Sequence, residues 1–373
     1  MFVGPPRERT KRSATWCTLD PVHPRARKLV EELSRATLRR LDAAPERALR
    51  AAFGQPPRSD RGIELDLPTH ALLRLMDLTR RGQLHELDPV RARKLARRDG
   101  TLVDLPEAEL AERRDFEIAG DDGPLGARLY RPRLAGPRPI VVWLHGGGFV
   151  IGGLETHRGM CSNLAARSGC IVIAVDYRKA PEHRFPAAAD DALASFRWVR
   201  DHAAQLGGRP EQLAIGGDSA GGNLSAVVCQ RLREADDAQP ALQVLIYPST
   251  DSHHPFPSYQ HFGAGLLLTH DMLRWFLGHY LRGPEDRDHP WASPLRAASF
   301  EGLAPALIRT AGFDPLRDEG SAYADALRAA GVEVDYRCYE RLIHNYIVMG
   351  AASSANRAAV EDLGDELRSF FAR

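Results

Sequence analysis

The sequence predicts a doubly wound α/β fold, with a central, mostly parallel eight-stranded sheet flanked by helices. Two observations carry that expectation. From about residue 115 onward, near-continuous Val/Ile-rich runs alternate with helix-like segments, as a parallel sheet covered on both faces requires. A glycine-rich stretch, IGGDSAGG at 215–222, stands between one such run and the helix that follows it, and sheets of this kind bind their ligands beyond the carboxyl ends of the strands. Right-handed crossovers complete the arrangement.

The elements follow in order. DFEIAG and ARLYRP read as two short strands around a turn at Asp121–Gly123. PIVVWLHGGG (139–148) leads to a helix near 158–168, and CIVIAVDYR (170–178) leads to one over 187–206. QLAIGGDSAGG (212–222) runs straight into NLSAVVCQRLREA, and LQVLIYP (242–248), PALIRTAG (305–312) and EVDYRCYE (333–340) supply the remaining strands. Polar 250–290 breaks the alternation and reads as an excursion with its own helix over 270–281.

Residues 1–110 read as helical and polar. ARKLVEELSRATLRRL (26–41) places Leu29, Leu33, Leu38 and Leu41 near helical spacing. THALLRLMDLTRRG (69–82) predicts a second helix, with Thr69 as its N-cap and Gly82 at its far end. GQPPRSDRG (54–62) reads as a linker. LDPV followed by RARKL occurs at 19–29 and again at 87–95, a proline-led basic helix start used twice rather than a repeat architecture.

The whole chain has a formal net charge of +1, which offers no field for nucleic acid or a membrane surface. Residues 1–61 nevertheless hold 14 Lys and Arg against 7 Asp and Glu. Acidic residues such as Glu31, Glu32, Asp42 and Glu46 interrupt the basic ones, so a solvated helical extension is expected rather than a nucleic-acid arm. The five cysteines are scattered, with no C-x-x-C pair, so neither a disulfide framework nor a zinc site is expected. No apolar region follows MFVGPPRERTKRS, and no run approaches the roughly 20 apolar residues of a membrane helix. A cytoplasmic protein without membrane insertion is the expectation.

Gly217-Asp218-Ser219-Ala220-Gly221 fits G-x-S-x-G, a turn that lifts a serine hydroxyl clear of the sheet. Only Gly or Ala fits beside so tight a turn, which explains the four glycines in this stretch. A phosphate-binding turn is the alternative, but neither a P-loop Lys nor G-x-G-x-x-G is present. HGGGF (145–149) follows the strand IVVWL and can bring backbone N–H groups to a developing oxyanion. Gly146 and Gly147, with Ala220 from the elbow, are the expected donors, and His145 is expected to anchor the loop. Serine needs a base, and the base an orienting acid. Asp314 and His344 follow the last two strands on the serine's side of the sheet. Asp251, Asp318 and Glu319 are rival acids, and His253, His254, His261, His270 and His279 rival bases.

HGGGFVIGGLETH, VDYRKAPEHRFPAAADDA, GGDSAGGNL, VLIYPST, HPWASPL and AGFDPLRDEG, in this order, resemble the hormone-sensitive-lipase-like esterases of the α/β-hydrolase superfamily, the bacterial family IV. The resemblance covers roughly residues 66–373. It implies a Ser219, Asp314, His344 triad and hydrolysis of short- to medium-chain acyl esters through an acyl-enzyme, without metal or organic cofactor. It also implies a helical cap from the N-terminal region, with 250–290 contributing, over a catalytic domain at 111–373. Residues 1–65 are an extra extension, expected as cap material or as a dimer-stabilising helix in a homodimer. His344-Asn345-Tyr346 stands where the family often has His-Gly-Phe, and Lys179 where it often has an apolar residue. A deacetylase, lactonase, amidase or acyltransferase would use the same triad. A non-catalytic small-molecule receptor on the same fold is the remaining alternative, and the presence of His344 argues against it.

Overall fold

The computed structural model describes residues 24–79 and 83–373. Four helices come first: α1 (Pro24–Ala43), α2 (Glu46–Phe53), α3 (Leu67–Thr79) and α4 (Pro89–Val103). The sheet follows as β1 (Glu112–Gly120), β2 (Gly123–Arg131), β3 (Arg138–Leu144), α5 (Arg158–Ser168), β4 (Ile171–Asp176), α6 (Ala187–Asp201), β5 (Gly208–Asp218), α7 (Ala220–Glu234) and β6 (Leu242–Ile246). An excursion then carries α8 (Pro257–Phe262) and α9 (His270–Tyr280). The chain closes with β7 (Ala306–Phe313), α10 (Arg317–Ala329), β8 (Val334–Ile343) and α11 (Ser354–Phe371).

The eight strands form one sheet in the order β1-β2-β4-β3-β5-β6-β7-β8. β1 pairs β2 and β2 pairs β4 antiparallel, and every other pairing is parallel. The hydrophobic pattern explains this division. β7 is buried at every position and β3 at all but its first, as strands covered on both faces must be. β8, at the sheet's edge, alternates between half-buried and exposed over most of its length.

Two local expectations change. α3 begins at Leu67, and Asp66 rather than Thr69 caps it: the Asp66 carboxylate accepts from Thr69 N at 3.1 Å and from Thr69 Oγ1 at 2.6 Å. Pro68 is no obstacle, because a first-turn N–H has no partner inside the helix anyway. Gly82, expected at the far end, lies outside the described residues. The excursion holds α8 as well as the expected α9. The second copy of the repeated motif is a helix start, with α4 opening at Pro89, where Asp88 accepts from Arg91 N at 3.0 Å; the LDPV of the first copy lies outside the described residues. No helix among the described residues is long and apolar enough to cross a membrane.

Candidate active site

β5 ends at Asp218, and α7 begins at Ala220, so Ser219 alone makes the turn. Its φ of 55° and ψ of −115° lie where a side chain is strained, at a cost of about 1–3 kcal/mol that the surrounding packing must offset. That packing is tight. A Cβ on Gly221 or Gly217 would collide with the Leu144 carbonyl oxygen of β3. The serine N–H donates to Ile246 O at 2.9 Å, and its carbonyl accepts from Asn223 N at 3.0 Å.

β7 and β8 deliver the other two groups. Asp314 is the first residue beyond β7, fully buried, with Oδ1 accepting from Leu316 N at 2.9 Å. His344 is the first residue beyond β8. Its Nδ1 is 2.8 Å from Asp314 Oδ2 and its Nε2 is 3.0 Å from Ser219 Oγ. Asn345 takes the left-handed conformation, φ 71°, that the turn after His344 requires and that asparagine tolerates. The rival acids, and His253 and His254 among the rival bases, are engaged elsewhere. Asp251 pairs with Arg296, Asp318 with Arg317, and His253 with Asp288. Glu319 is fully buried and holds His254 Nδ1 at 2.8 Å and Thr250 N at 2.7 Å.

The glycine loop after β3 approaches Ser219 from the other side. His145 is its anchor, as expected. The ring stacks on Tyr177 at 4.3 Å, Nδ1 meets Gly146 O at 2.8 Å, and the Tyr177 hydroxyl donates to His145 O at 2.6 Å. One expected donor is corrected here. The Gly146 N–H is turned into the protein and donates to Asp218 Oδ1 at 3.1 Å, so it is committed before any substrate arrives. Gly147 and Gly148 follow with φ of 121° and 58°, a reversal that non-glycine residues rarely make, and their N–H groups donate to no protein acceptor among the described residues. The Ala220 N–H, at the first position of α7, is likewise uncommitted.

Sequence reasoning passed over the polar support beneath this loop. His157 Nε2 lies 2.9 Å from Asp218 Oδ1, and both residues are buried. Burial opposes charge on each, but the opposite charges outweigh it: His157 holds its proton more tightly than an ordinary histidine, and Asp218 is the stronger acid for it. Asp104, buried beyond α4, accepts from Gly159 N at 2.7 Å and Leu105 N at 2.8 Å, and burial pushes its carboxyl up to about 7. The residues were visible in HGGGFVIGGLETH and GGDSAGGNL, but their pairing needs the fold, because 61 positions separate His157 from Asp218.

A cavity of about 140 Å³ opens in front of Ser219. Ala96 and Gly100 of α4 line one wall, and Leu268, Met272 and Phe276 of the excursion line another. Its surface is mainly carbon, as small-molecule pockets generally are.

A family profile described as the α/β-hydrolase fold matches residues 141–348. The carboxylic ester hydrolase LipN of Mycobacterium tuberculosis is 45% identical over 265 residues, 69% of this chain and 70% of that protein. The ethyl acetate hydrolase of Pseudomonas putida is 40% identical over 273 residues, 72% of this chain and 86% of that protein. Among solved structures, an ester hydrolase from the metagenome of Lake Arreo, complexed with a bipyridine phosphonate derivative, superposes with a TM-score of 0.81 at 41% identity. That match covers 83% of this chain and 100% of the other.

Proposed function

The chain belongs to the hormone-sensitive-lipase-like branch of the α/β-hydrolase family and is a carboxylic ester hydrolase, and on that premise we propose that Ser219, His344 and Asp314 carry the reaction. Ser219 Oγ attacks the ester carbonyl carbon while His344 Nε2 takes the hydroxyl proton. Asp314 keeps the Nδ1 proton in place and faces the imidazolium as it forms. The tetrahedral oxyanion is received by the N–H groups of Gly147, Gly148 and Ala220, each worth about 3 kcal/mol of barrier. Collapse expels the alcohol, which leaves with the proton from His344. Water then attacks the acyl-enzyme by the same route, the acid departs and Ser219 is restored.

The observation that carries this reading is the placement of one imidazole between hydroxyl and carboxylate, at 3.0 and 2.8 Å. Substrates are esters of short- to medium-chain acyl groups, in keeping with the small apolar cavity. Residues 66–110 and 250–290 act as the cap, since α4 and the excursion both line that cavity. α1 and α2 pack against α3 and α4 of the same chain, which favours cap material over a dimer-stabilising helix for the extension. The buried free thiols of Cys161, Cys170 and Cys229 suit a reducing compartment, and we assign the activity to the cytoplasm.

The test is turnover of a short-chain p-nitrophenyl ester by Ser219→Ala. The variant should fold and lose several orders of magnitude in kcat; retention of most activity would sink the proposal. A panel of acyl esters, acetylated sugars, lactones and anilides then ranks the bond cleaved.

A further inference from the structure

The stretch 54–62, which reads as a linker, folds into a tight turn at its tip. Ser59 N donates to Ile63 O at 2.8 Å and Gly62 N to Ser59 O at 2.9 Å, while Arg58 and Glu64 pair across the base as an antiparallel bridge. The buried Ser59 hydroxyl accepts from Arg61 N and Ile63 N, both at 3.3 Å. A turn so fully bonded fixes where Asp60 and Arg61 point.

Both point at the ends of the two strands that deliver the acid and the base. The Asp60 carboxylate grips the Arg317 guanidinium with both oxygens, at 2.7 and 2.8 Å. Arg317 opens α10, is almost wholly buried, and donates its own backbone N–H to Asp314 O at 3.1 Å. Its Nη1 also reaches Gly312 O at 3.3 Å, so one side chain spans the loop from Gly312 to Arg317 in which Asp314 sits. Arg61 meets Glu340 of β8 at 2.7 Å, and Asp66 N donates to Arg341 O at 2.9 Å, three residues before His344. Between these polar ties, fully buried Leu65 packs in one apolar cluster with Phe313 and Ile343, the neighbours of Asp314 and His344.

We infer that the turn at residues 59–62 is a positioning device for the reaction: Asp60, by locking Arg317, holds the Asp314 loop so that the carboxylate keeps His344 aligned on Ser219. Asp60 touches no reacting atom and is a positioning residue. Hydrogen bonds from Arg317 hold its carboxyl down at about 2, so the pair stays charged at any assay pH. Arg317 keeps Asp318 at 2.7 Å when Asp60 is neutralised, so the guanidinium retains a partner while losing its anchor to the extension. Arg61 and His261, the latter 3.7 Å away, are the other titratable neighbours of Asp60. The inference rests on the triad proposed above, and the experiment separates the two.

Asp60→Asn, Asp60→Glu, Ser219→Ala and the unaltered protein are assayed on p-nitrophenyl butyrate, with kcat referred to serines titrated by a p-nitrophenyl phosphonate. Asp60→Asn should lose about tenfold in kcat, since small misplacements of catalytic groups are costly, with KM within about twofold. Asp60→Glu, which restores the charge with a longer reach, should recover to within about threefold of the original kcat. An Asp60→Asn kcat equal to the original, a loss seen in KM instead, or a Glu variant no better than the Asn variant overturns the positioning role. Should Asp60→Asn fail to fold, Arg317→Lys takes its place, keeping the charge but losing the two-pronged grip: a kcat reduced several-fold at constant KM supports the role, and the original kcat overturns it. Activity persisting in Ser219→Ala would defeat the triad itself. An inactive Ser219→Ala beside a fully active Asp60→Asn defeats only the role of Asp60.

Discussion

The imidazole of His157 lies 2.9 Å from the carboxylate of Asp218, both of them buried, one residue before the strained serine. The same carboxylate oxygen takes the Gly146 N–H, so a single buried ion pair joins the Ser219 turn to the glycine loop after β3.

Stability should therefore depend on pH through this pair. Burial alone weakens the hold of His157 on its proton, and the Asp218 charge more than offsets it, so the folded value lies above the ordinary 6.5. A group raised in this way stabilises fully below its unfolded value and stops doing so as pH rises through the folded one. His157→Gln should cost about 3–5 kcal/mol at pH 6, as breaking a buried pair does, and clearly less at pH 9. Urea denaturation at both pH values measures the difference; an equal loss at both would mean that the pair does not titrate.

Gly148 sits at φ 58°, and a Cβ there would land in the ring of Phe276. Gly148→Ala should displace its N–H and reduce kcat by about 10²–10³, the effect of losing an oxyanion donor. Adding Phe276→Ala removes the collision but not the left-handed strain of about 1–2 kcal/mol, so the double variant should recover about tenfold over the single one. If it recovers nothing, the ring does not set the loop's position.

Tyr177→Phe removes the hydroxyl that satisfies the buried His145 carbonyl at 2.6 Å. An unsatisfied buried acceptor costs about 1–3 kcal/mol, and the loss should appear in denaturant unfolding together with a several-fold fall in kcat. Unchanged stability would place the support of this loop elsewhere.

The backbone after His344 gives a contrast between two substitutions. Asn345, at φ 71°, should accept Gly with activity within about twofold, because glycine enters the left-handed region freely. Asn345→Val should lower both stability and kcat, since a β-branched residue is a genuine outlier there. Equal behaviour of the two would show that this dihedral does not govern the histidine.

Much of this was legible in the chain itself. The buried strands announce themselves as β-branched runs such as IVVWL and IVIAV, because a sheet covered on both faces tolerates little else. Ser219 is marked by small neighbours that collide with Leu144 if enlarged, and Asp314 and His344 by falling just past strand ends. The Gly146 assignment failed because composition tells that a loop can approach a substrate, not which way each N–H faces. Gly146 turns inward only because Asp218 waits there, and that pairing spans 72 positions. Asp60 was hidden for a similar reason: GQPPRSDRG has the composition of a linker, and its partner Arg317 is 257 residues away.

The most direct measurement is peptide mapping by mass spectrometry after reaction with a p-nitrophenyl phosphonate ester. One adduct per chain on Ser219, forming in step with loss of esterase activity and greatly slowed in His344→Ala, is the expected result. An adduct on any other residue that accounts for the lost activity, or an equally fast reaction without His344, would contradict it.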